Sequence, residues 1–383
     1  VLRFFGLNDR DYFSMPGLDL IGVLWLVAVM GCGSSSGPAG IAVDVSGSGR
    51  GICALVSGGV QCWGDSGVGP LKNGVADATL VPIRVIASGA GATAVSEGPA
   101  HGCAVVNGGV QCWGYNPTGA LGNGSTASSM TPVPVSGLKS NVTTVSVGGA
   151  FACAIVAGAV SCWGSNDYAQ LGTDDPTIPS LAPIPASKLA SGVTAISAGD
   201  TVGCAIVYDA GYCWGTTLPV SALGPAPVDG LDPGVAAISA GYDHRCAVID
   251  GGAWCWGSNT FGQLGNSAVT VDRSDVPVPV DGLSTGVTAV SAGAFSSCAI
   301  VNGGAQCWGA NARGQLGYNS MIDSPVPVPV TGLDAGVTAI SVGDSHACAV
   351  VNGGVQCWGD NSLGELGDGT QRSSLVPVVV KVL

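Results

Sequence analysis

Fifteen cysteines and three histidines are the residues of this 383-residue chain whose types could carry chemistry, and fourteen of the cysteines obey one spacing rule. They pair as Cys53 and Cys62, Cys103 and Cys112, Cys153 and Cys162, Cys204 and Cys213, Cys246 and Cys255, Cys298 and Cys307, Cys348 and Cys357, always with eight residues between. Such pairs can be disulfides, buried reduced thiols or half of a zinc site. The histidines, His101, His244 and His346, each stand two residues before the first cysteine of a pair, where Phe151, Val202 and Ser296 stand in other copies. No second histidine lies at ligand-like spacing and no site-like carboxylate cluster accompanies them, so no catalytic or metal role is expected. Gly33-Ser34-Ser35-Ser36-Gly37 spells a nucleophile-elbow motif, but it lacks the preceding strand and following helix that such an elbow requires.

The element that must position the cysteines is a twelve-residue stretch, cleanest as CAVVNGGVQCWG from Cys103 to Gly114 and again from Cys348 to Gly359. Apolar residues, a turn centred on Asn107-Gly108, Asp250-Gly251, Asn302-Gly303 or Asn352-Gly353, and a short alternating run are a hairpin signature. Folding about Asn107-Gly108 sets Val106 against Gly109, Val105 against Val110, Ala104 against Gln111 and Cys103 against Cys112. Counting outward from the turn puts the cysteines at a non-hydrogen-bonded site, where Cα atoms are about 4.5 Å apart, within reach of a disulfide. Seven cross-strand disulfides are the structural expectation. Reduced thiols remain the alternative, and zinc fits least, because two sulfurs on one hairpin leave the ion half-ligated.

Trp-Gly follows every second cysteine, and its copies lie 50, 50, 51, 42, 52 and 50 residues apart, which reads as one repeat array. With 63 glycines, 22 prolines and no long apolar helical period, the chain reads as strands and turns. In the last copy four strand candidates are legible: Val337 to Ser341, the two arms of the cysteine hairpin, and the run Leu375 to Val380. Four strands per repeat of about 50 residues is a propeller blade. The prolines of Val276-Pro277-Val278-Pro279-Val280 and Pro325-Val326-Pro327-Val328-Pro329 fall two apart. Every missing N–H therefore lies on one side of the strand, which places it at a sheet edge, outermost in its blade. A tryptophan at one fixed position of every blade is read as blade-to-blade packing; Trp254, in the place of Gln111, is an extra aromatic that alternates away from Cys255 and is a candidate for exposure.

The formal charge of -13 with 12 Lys plus Arg argues against nucleic acid, which needs a basic face. The fifteenth cysteine, Cys32, ends an apolar run of eleven residues, Leu20 to Met30, behind Arg3 and Arg10. That length suits a signal-peptide core better than a membrane span. The run closes Val29-Met30-Gly31-Cys32, which resembles a bacterial lipobox whose cysteine is lipidated; a cleaved or retained signal segment is the alternative. Residues 1–32 are thus read as a targeting segment, 33–40 as a flexible tether and 41–383 as the repeat domain. By what is known of lipoproteins, Gly33 after the cysteine implies the outer membrane or cell surface; without lipidation the protein would be periplasmic or secreted.

The full unit, S-x-G-x-x-H-x-C-A-x-x-x-G-x-x-x-C-W-G-x-N-x-x-G-Q-L-G, resembles the repeat of the regulator of chromosome condensation family. The Gly-Gln-Leu-Gly signature stands at Gly262–Gly265 and Gly314–Gly317, with variants at Gly119–Gly122 and Gly364–Gly367. The resemblance runs from about residue 41 to 383 and implies an all-β, seven-bladed propeller of four-stranded antiparallel blades. Family repeats do not generally carry the paired cysteines, which look like an adaptation to an oxidising compartment. Repeat one lacks the Asn and Gly-Gln-Leu-Gly segment, and repeat four is cut to Trp214-Gly215-Thr216-Thr217-Leu218-Pro219, so blade geometry is least defined there.

Between the near-constant Ser-x-Gly and Cys-Ala lies a segment that varies from copy to copy, and symmetry would set these segments in a ring on one rim. Asp200, Tyr242, Asp243, Phe295 and Asp344 are the binding-face candidates, aromatics for contact area and acids for partner charge. The expectation is an exported, lipid-anchored, monomeric propeller that binds a protein, is not an enzyme and uses no cofactor or metal. Nucleotide exchange on a nuclear GTPase, the family's founding role, does not suit an exported acidic chain. The rivals are an envelope enzyme or carbohydrate binder using the central channel, which would need a convergent polar cluster the sequence does not display, and a purely architectural envelope protein.

Overall fold

The computed structural model describes residues 41–65, 78–173, 178–215 and 224–381. Residues 1–40, on which the expected targeting segment with Cys32 and the expected tether fall, and the irregular stretches of repeats one (66–77) and four (216–223) lie outside the described residues. Every regular element that is described is a β-strand.

Asn-Gly and Asp-Gly close the hairpins as the turn chemistry requires. Asn107 and Gly108 have φ of 51° and 76°, and Asp250, Asn302 and Asn352 with their glycines repeat the pattern. Two consecutive residues in the left-handed region twist the turn in the sense of the strands it joins. The register follows: Cys103 faces Cys112, Ala104 faces Gln111 and Val105 faces Val110. All seven cysteine pairs are bonded across the strands, with Cα separations of 4.0–4.1 Å, shorter than the 4.5 Å expected of an unstapled pair.

Each hairpin supplies the middle two strands of a four-stranded antiparallel sheet, and each sheet takes its strands consecutively from the chain. The seven blades are Ala42–Ile86, Ala92–Pro134, Val142–Pro185, Val193–Pro227, Val235–Pro279, Val287–Pro329 and Val337–Val379. Repeat and blade therefore coincide. The first strand of each blade packs on the first strands of both neighbours and faces the axis. The Val/Pro strand is outermost throughout, as the proline spacing requires.

The core is divided among the seven blade interfaces, each filled from two blades. The repeat tryptophan of one blade lies against the hairpin of the blade before it: Trp358 packs with Cys298, Ile300, Cys307 and Leu316. All seven tryptophans are at most 1 % exposed, whereas Trp254 is half-buried. The Asn-x-x-Gly-Gln-Leu-Gly segment explains itself physically. Asn311 is fully buried; its Oδ1 accepts the Leu316 N–H at 2.9 Å and its Nδ2 donates to the Ser320 and Ile322 carbonyls at 2.9 and 3.0 Å. Leu316 fills the interface, the Gln315 carbonyl accepts the Trp358 indole N–H at 2.9 Å, and a Cβ on Gly317 would strike that indole at 2.8 Å. Five tryptophans make this indole bond to the preceding blade. Trp113 and Trp256 have no acceptor among the described residues, and they follow the two repeats that lack the segment.

At the axis the near-constant serine does the equivalent work. Ser46, Ser96, Ser146, Ser197, Ser239, Ser291 and Ser341 each accept the backbone N–H of the next blade's inner strand at 2.9–3.1 Å. The last of these runs from Gly47 in blade one to Ser341 in blade seven and closes the circle, joined by an Ala42 N–H to Gly353 carbonyl bond of 2.9 Å.

Because Asn311 makes three buried hydrogen bonds, each worth about 1 kcal/mol, Asn311→Ala is expected to lower stability by about 3 kcal/mol, measured by denaturant unfolding.

Candidate functional site

The turn from first to second strand opens at one end of the channel in every blade. Its first residue beyond Ser-x-Gly, or beyond Ser46-Gly47-Ser48 in blade one, is Gly49, Pro99, Gly149, Asp200, Tyr242, Ala294 and Asp344 in blades one to seven. Around the mouth runs a cavity of about 320 Å³ lined by Ser46 and its six counterparts and by Pro99, Gly149, Asp200, Tyr242, Ala294 and Asp344. A narrower stretch of about 150 Å³ continues toward the other end past Asp44 and Thr144.

The ring expected from the sequence is present, and it is lopsided. Blades one to three contribute glycine and proline, while the acids and the aromatic sit on blades four, five and seven. Asp200, Asp243 and Asp344 lie close enough for their charges to interact. Burial first, then Asp243 and Asp344, push the Asp200 carboxyl above the ordinary range. Burial likewise raises Asp344, opposed by the Arg50 guanidinium. The Tyr242 hydroxyl is raised chiefly by Asp200. Three carboxylates are thus held around one opening at a cost to the isolated fold.

Beside them the aromatics form a patch. Tyr242 and Phe295 have ring centroids 6.3 Å apart, and Phe261 meets Phe295 edge-on at 5.4 Å. Tyr242, Phe295 and Phe261 are 49, 41 and 41 % exposed, so the contact leaves somewhat under half of each side chain open to solvent. Phe261 was not among the sequence candidates. Its signal was available, because the third strand of each blade ends beside the start of the second, which sends the loop carrying Phe261 to the same face. Exposed Tyr168 sits on the corresponding loop of blade three.

Seven serine hydroxyls, with acids above them, line the channel. The hydroxyls already accept inter-blade N–H bonds, so they belong to the frame.

The histidines are buried between blades. His244 Nε2 lies 2.7 Å from Ser297 Oγ of blade six, and the His346 ring packs on Gly47 of blade one. Burial lowers His101 to about 4, His244 to about 3 and His346 to about 4, so all three are neutral spacers at neutral pH. The one cluster of metal-ligating types among the described residues is Cys53, Cys62 and Glu97, whose sulfurs are tied in a disulfide.

Fold and mouth together define a seven-bladed propeller with a constant frame and an individual rim. The regulator of chromosome condensation (RCC1) repeat model matches residues 107–155, 157–206, 250–300 and 302–350, and a second model of that repeat matches 337–365. With more than half of its length matched, the chain belongs to the RCC1 repeat family. Among solved structures it is similar to yeast RCC1 (Prp20) in its complex with Kap60, at 20 % identity and a TM-score of 0.73, covering 84 % of this chain and 83 % of that one. It is also similar to human WBSCR16, at 21 % identity and a TM-score of 0.72, covering 87 % and 94 %. Prp20p of Saccharomyces cerevisiae, whose binding to Gsp1p and histones was studied with its structure, matches at 20 % identity and 0.71 over 84 % and 86 %. No curated protein sequence matches the chain.

A histidine whose pKa is lowered on folding supplies stability above its unfolded pKa, and that stability is lost as pH falls toward the folded value. His346→Phe, the residue found at this place in blade three, is therefore expected to reduce acid sensitivity. Between pH 6.5 and about 4 the wild type should lose up to about 3 kcal/mol that the variant keeps, read from melting temperatures across that range.

Proposed function

We propose that this protein is an exported propeller that binds another protein through the half of its channel mouth formed by blades four to seven. The observation that carries this reading is the asymmetry: seven-fold packing fixes the serine, tryptophan and hairpin positions, yet Asp200, Tyr242, Asp243, Phe295 and Asp344 gather on one side, opposite Gly49, Pro99 and Gly149. Exposed aromatics beside interacting carboxylates supply contact area and a negative field, which suits a protein surface bearing Lys or Arg. The repulsion among the carboxylates is relieved when a cation docks, so the arrangement gains by binding what it costs in the free state.

Export is supported by fourteen cysteines held in seven disulfides, which persist in an oxidising compartment. Lipidation of Cys32, behind its apolar run, would tether the propeller to a membrane, with Gly33 favouring the outer membrane or cell surface. In this reading the protein is a monomer without cofactor or enzymatic activity, a recognition scaffold or inhibitor-like module. That yeast RCC1 was solved bound to Kap60 shows a relative of this fold engaged with a protein.

Crosslinking in the source cell followed by mass spectrometry tests this. One discrete partner should be captured by the wild type and lost with Tyr242→Ala, Asp243→Ala and Phe295→Ala combined. No discrete partner, or capture indifferent to those changes, would contradict it.

A further inference from the structure

Glu97 stands where the other blades carry Gly47, Val147, Ala198, Ala240, Ala292 and Val342, and it is 2 % exposed. Its side chain reaches into blade one, and space for it exists because position 51 is glycine. The other blades place His101, Phe151, Val202, His244, Ser296 or His346 there. A Cβ on Gly51 would lie 3.1 Å from Glu97 Oε1, and one on Gly102 would lie 2.3 Å from Oε2. Missing bulk explains a long side chain at position 97; it does not explain an acid.

The carboxyl ends on a disulfide. Oε2 lies 3.1 Å from Cys53 Sγ, and Oε1 has no hydrogen-bond partner among the described residues. A disulfide sulfur carries no hydrogen, so Glu97 must donate the hydrogen of this contact. The other bridge with a hydroxyl nearby is Cys246–Cys255, where Ser297 Oγ is 3.7 Å from Cys246 Sγ and donates its hydrogen to the Gln263 carbonyl at 3.1 Å. Among the described bridges, Cys53–Cys62 is thus the one in contact with a transferable proton.

We propose that Cys53–Cys62 is a thiol-exchange site with Glu97 as its proton donor and a thiol or dithiol as its co-substrate. The incoming thiolate attacks Cys62 Sγ and the Cys53–Cys62 bond breaks. Its electron pair goes to Cys53 Sγ, which takes the Glu97 proton. The products are a mixed disulfide on Cys62, a thiol at Cys53 and a carboxylate at Glu97. A second thiolate then attacks the co-substrate sulfur of the mixed disulfide and Cys62 leaves as a thiolate; the two protons lost to solvent by the co-substrate thiols are returned to Cys62 and Glu97, so that two thiols are oxidised to a disulfide and the bridge is reduced to two thiols. Protonating the departing sulfur lowers the barrier, because a thiolate leaves poorly in a buried site. Burial holds the Glu97 carboxyl well above its ordinary value, in the direction that favours the protonated form. Arg50 and Asp65 are paired at 3.9 Å at the end of the blade-one hairpin, His101 stands on the neighbouring strand of Glu97's own blade, and burial rather than a neighbouring charge sets the state of the Glu97 carboxyl.

All fourteen bridged sulfurs are at most 1 % exposed, so exchange at any of them waits on hairpin opening. Comparing the seven bridges within one chain removes that shared requirement. The full protein is exposed to dithiothreitol, quenched by alkylation at intervals, and each bridge is followed by peptide mass spectrometry from pH 5 to 9. Cys53–Cys62 should open ahead of the other six. Glu97→Gln, which keeps the shape and a hydrogen-bond donor but has no transferable proton, should slow that bridge by on the order of 10²-fold and leave the others unchanged. Equal rates at all seven bridges or a Glu97→Gln variant as fast as wild type would each overturn the proposal.

Discussion

The blades meet at the axis, where the first strand of each packs on the first strands of both neighbours. Seven serine hydroxyls tie them there, each accepting the backbone N–H of the following blade, including the bond that joins the last blade to the first. Everything farther out is built on that circle. The tryptophans seal the interfaces, the disulfides staple the hairpins that carry them, and the proline-spaced strands end each sheet.

Much of this was legible because its causes are local. Two left-handed residues at Asn107-Gly108 fix the register, the register opposes Cys103 and Cys112, and proline spacing in Val276 to Val280 identifies the outer edge. The rest depends on residues a blade apart. The constancy of serine in Ser-x-Gly was visible, but its partner lies 43 to 53 residues onward, or 294 at the closure. Nothing near Glu97 in sequence announces Cys53, because the pocket it enters was vacated by Gly51 of the preceding blade. Phe261 went unseen for a related reason: it comes to Phe295 from a different loop of a different blade.

The mouth shows the other side of the same constraint. Where symmetry demands a residue, the seven copies agree; one residue past Ser-x-Gly they do not, and there Asp200, Tyr242 and Asp344 face a common opening. Asp344 accepts a hydrogen bond from the Gly49 backbone of blade one, whereas Asp200 and Tyr242 are marked by the cost of their neighbouring charges. Asp200 is pushed toward its neutral form by burial and by Asp243 and Asp344, which is the mark of a residue placed for something other than folding.

The separation of frame from rim is most directly tested by the melting temperature of Asp200→Asn against wild type as pH rises through the acid range to pH 8. A carboxyl whose pKa is raised on folding contributes stability at low pH that is lost as pH rises through the folded value, so the wild type should lose stability over this range relative to the variant. The account predicts a variant at least as stable as wild type at pH 8. A variant that melts several degrees lower there would show that Asp200 supports the fold, and would contradict the division between a packed frame and a rim kept for recognition.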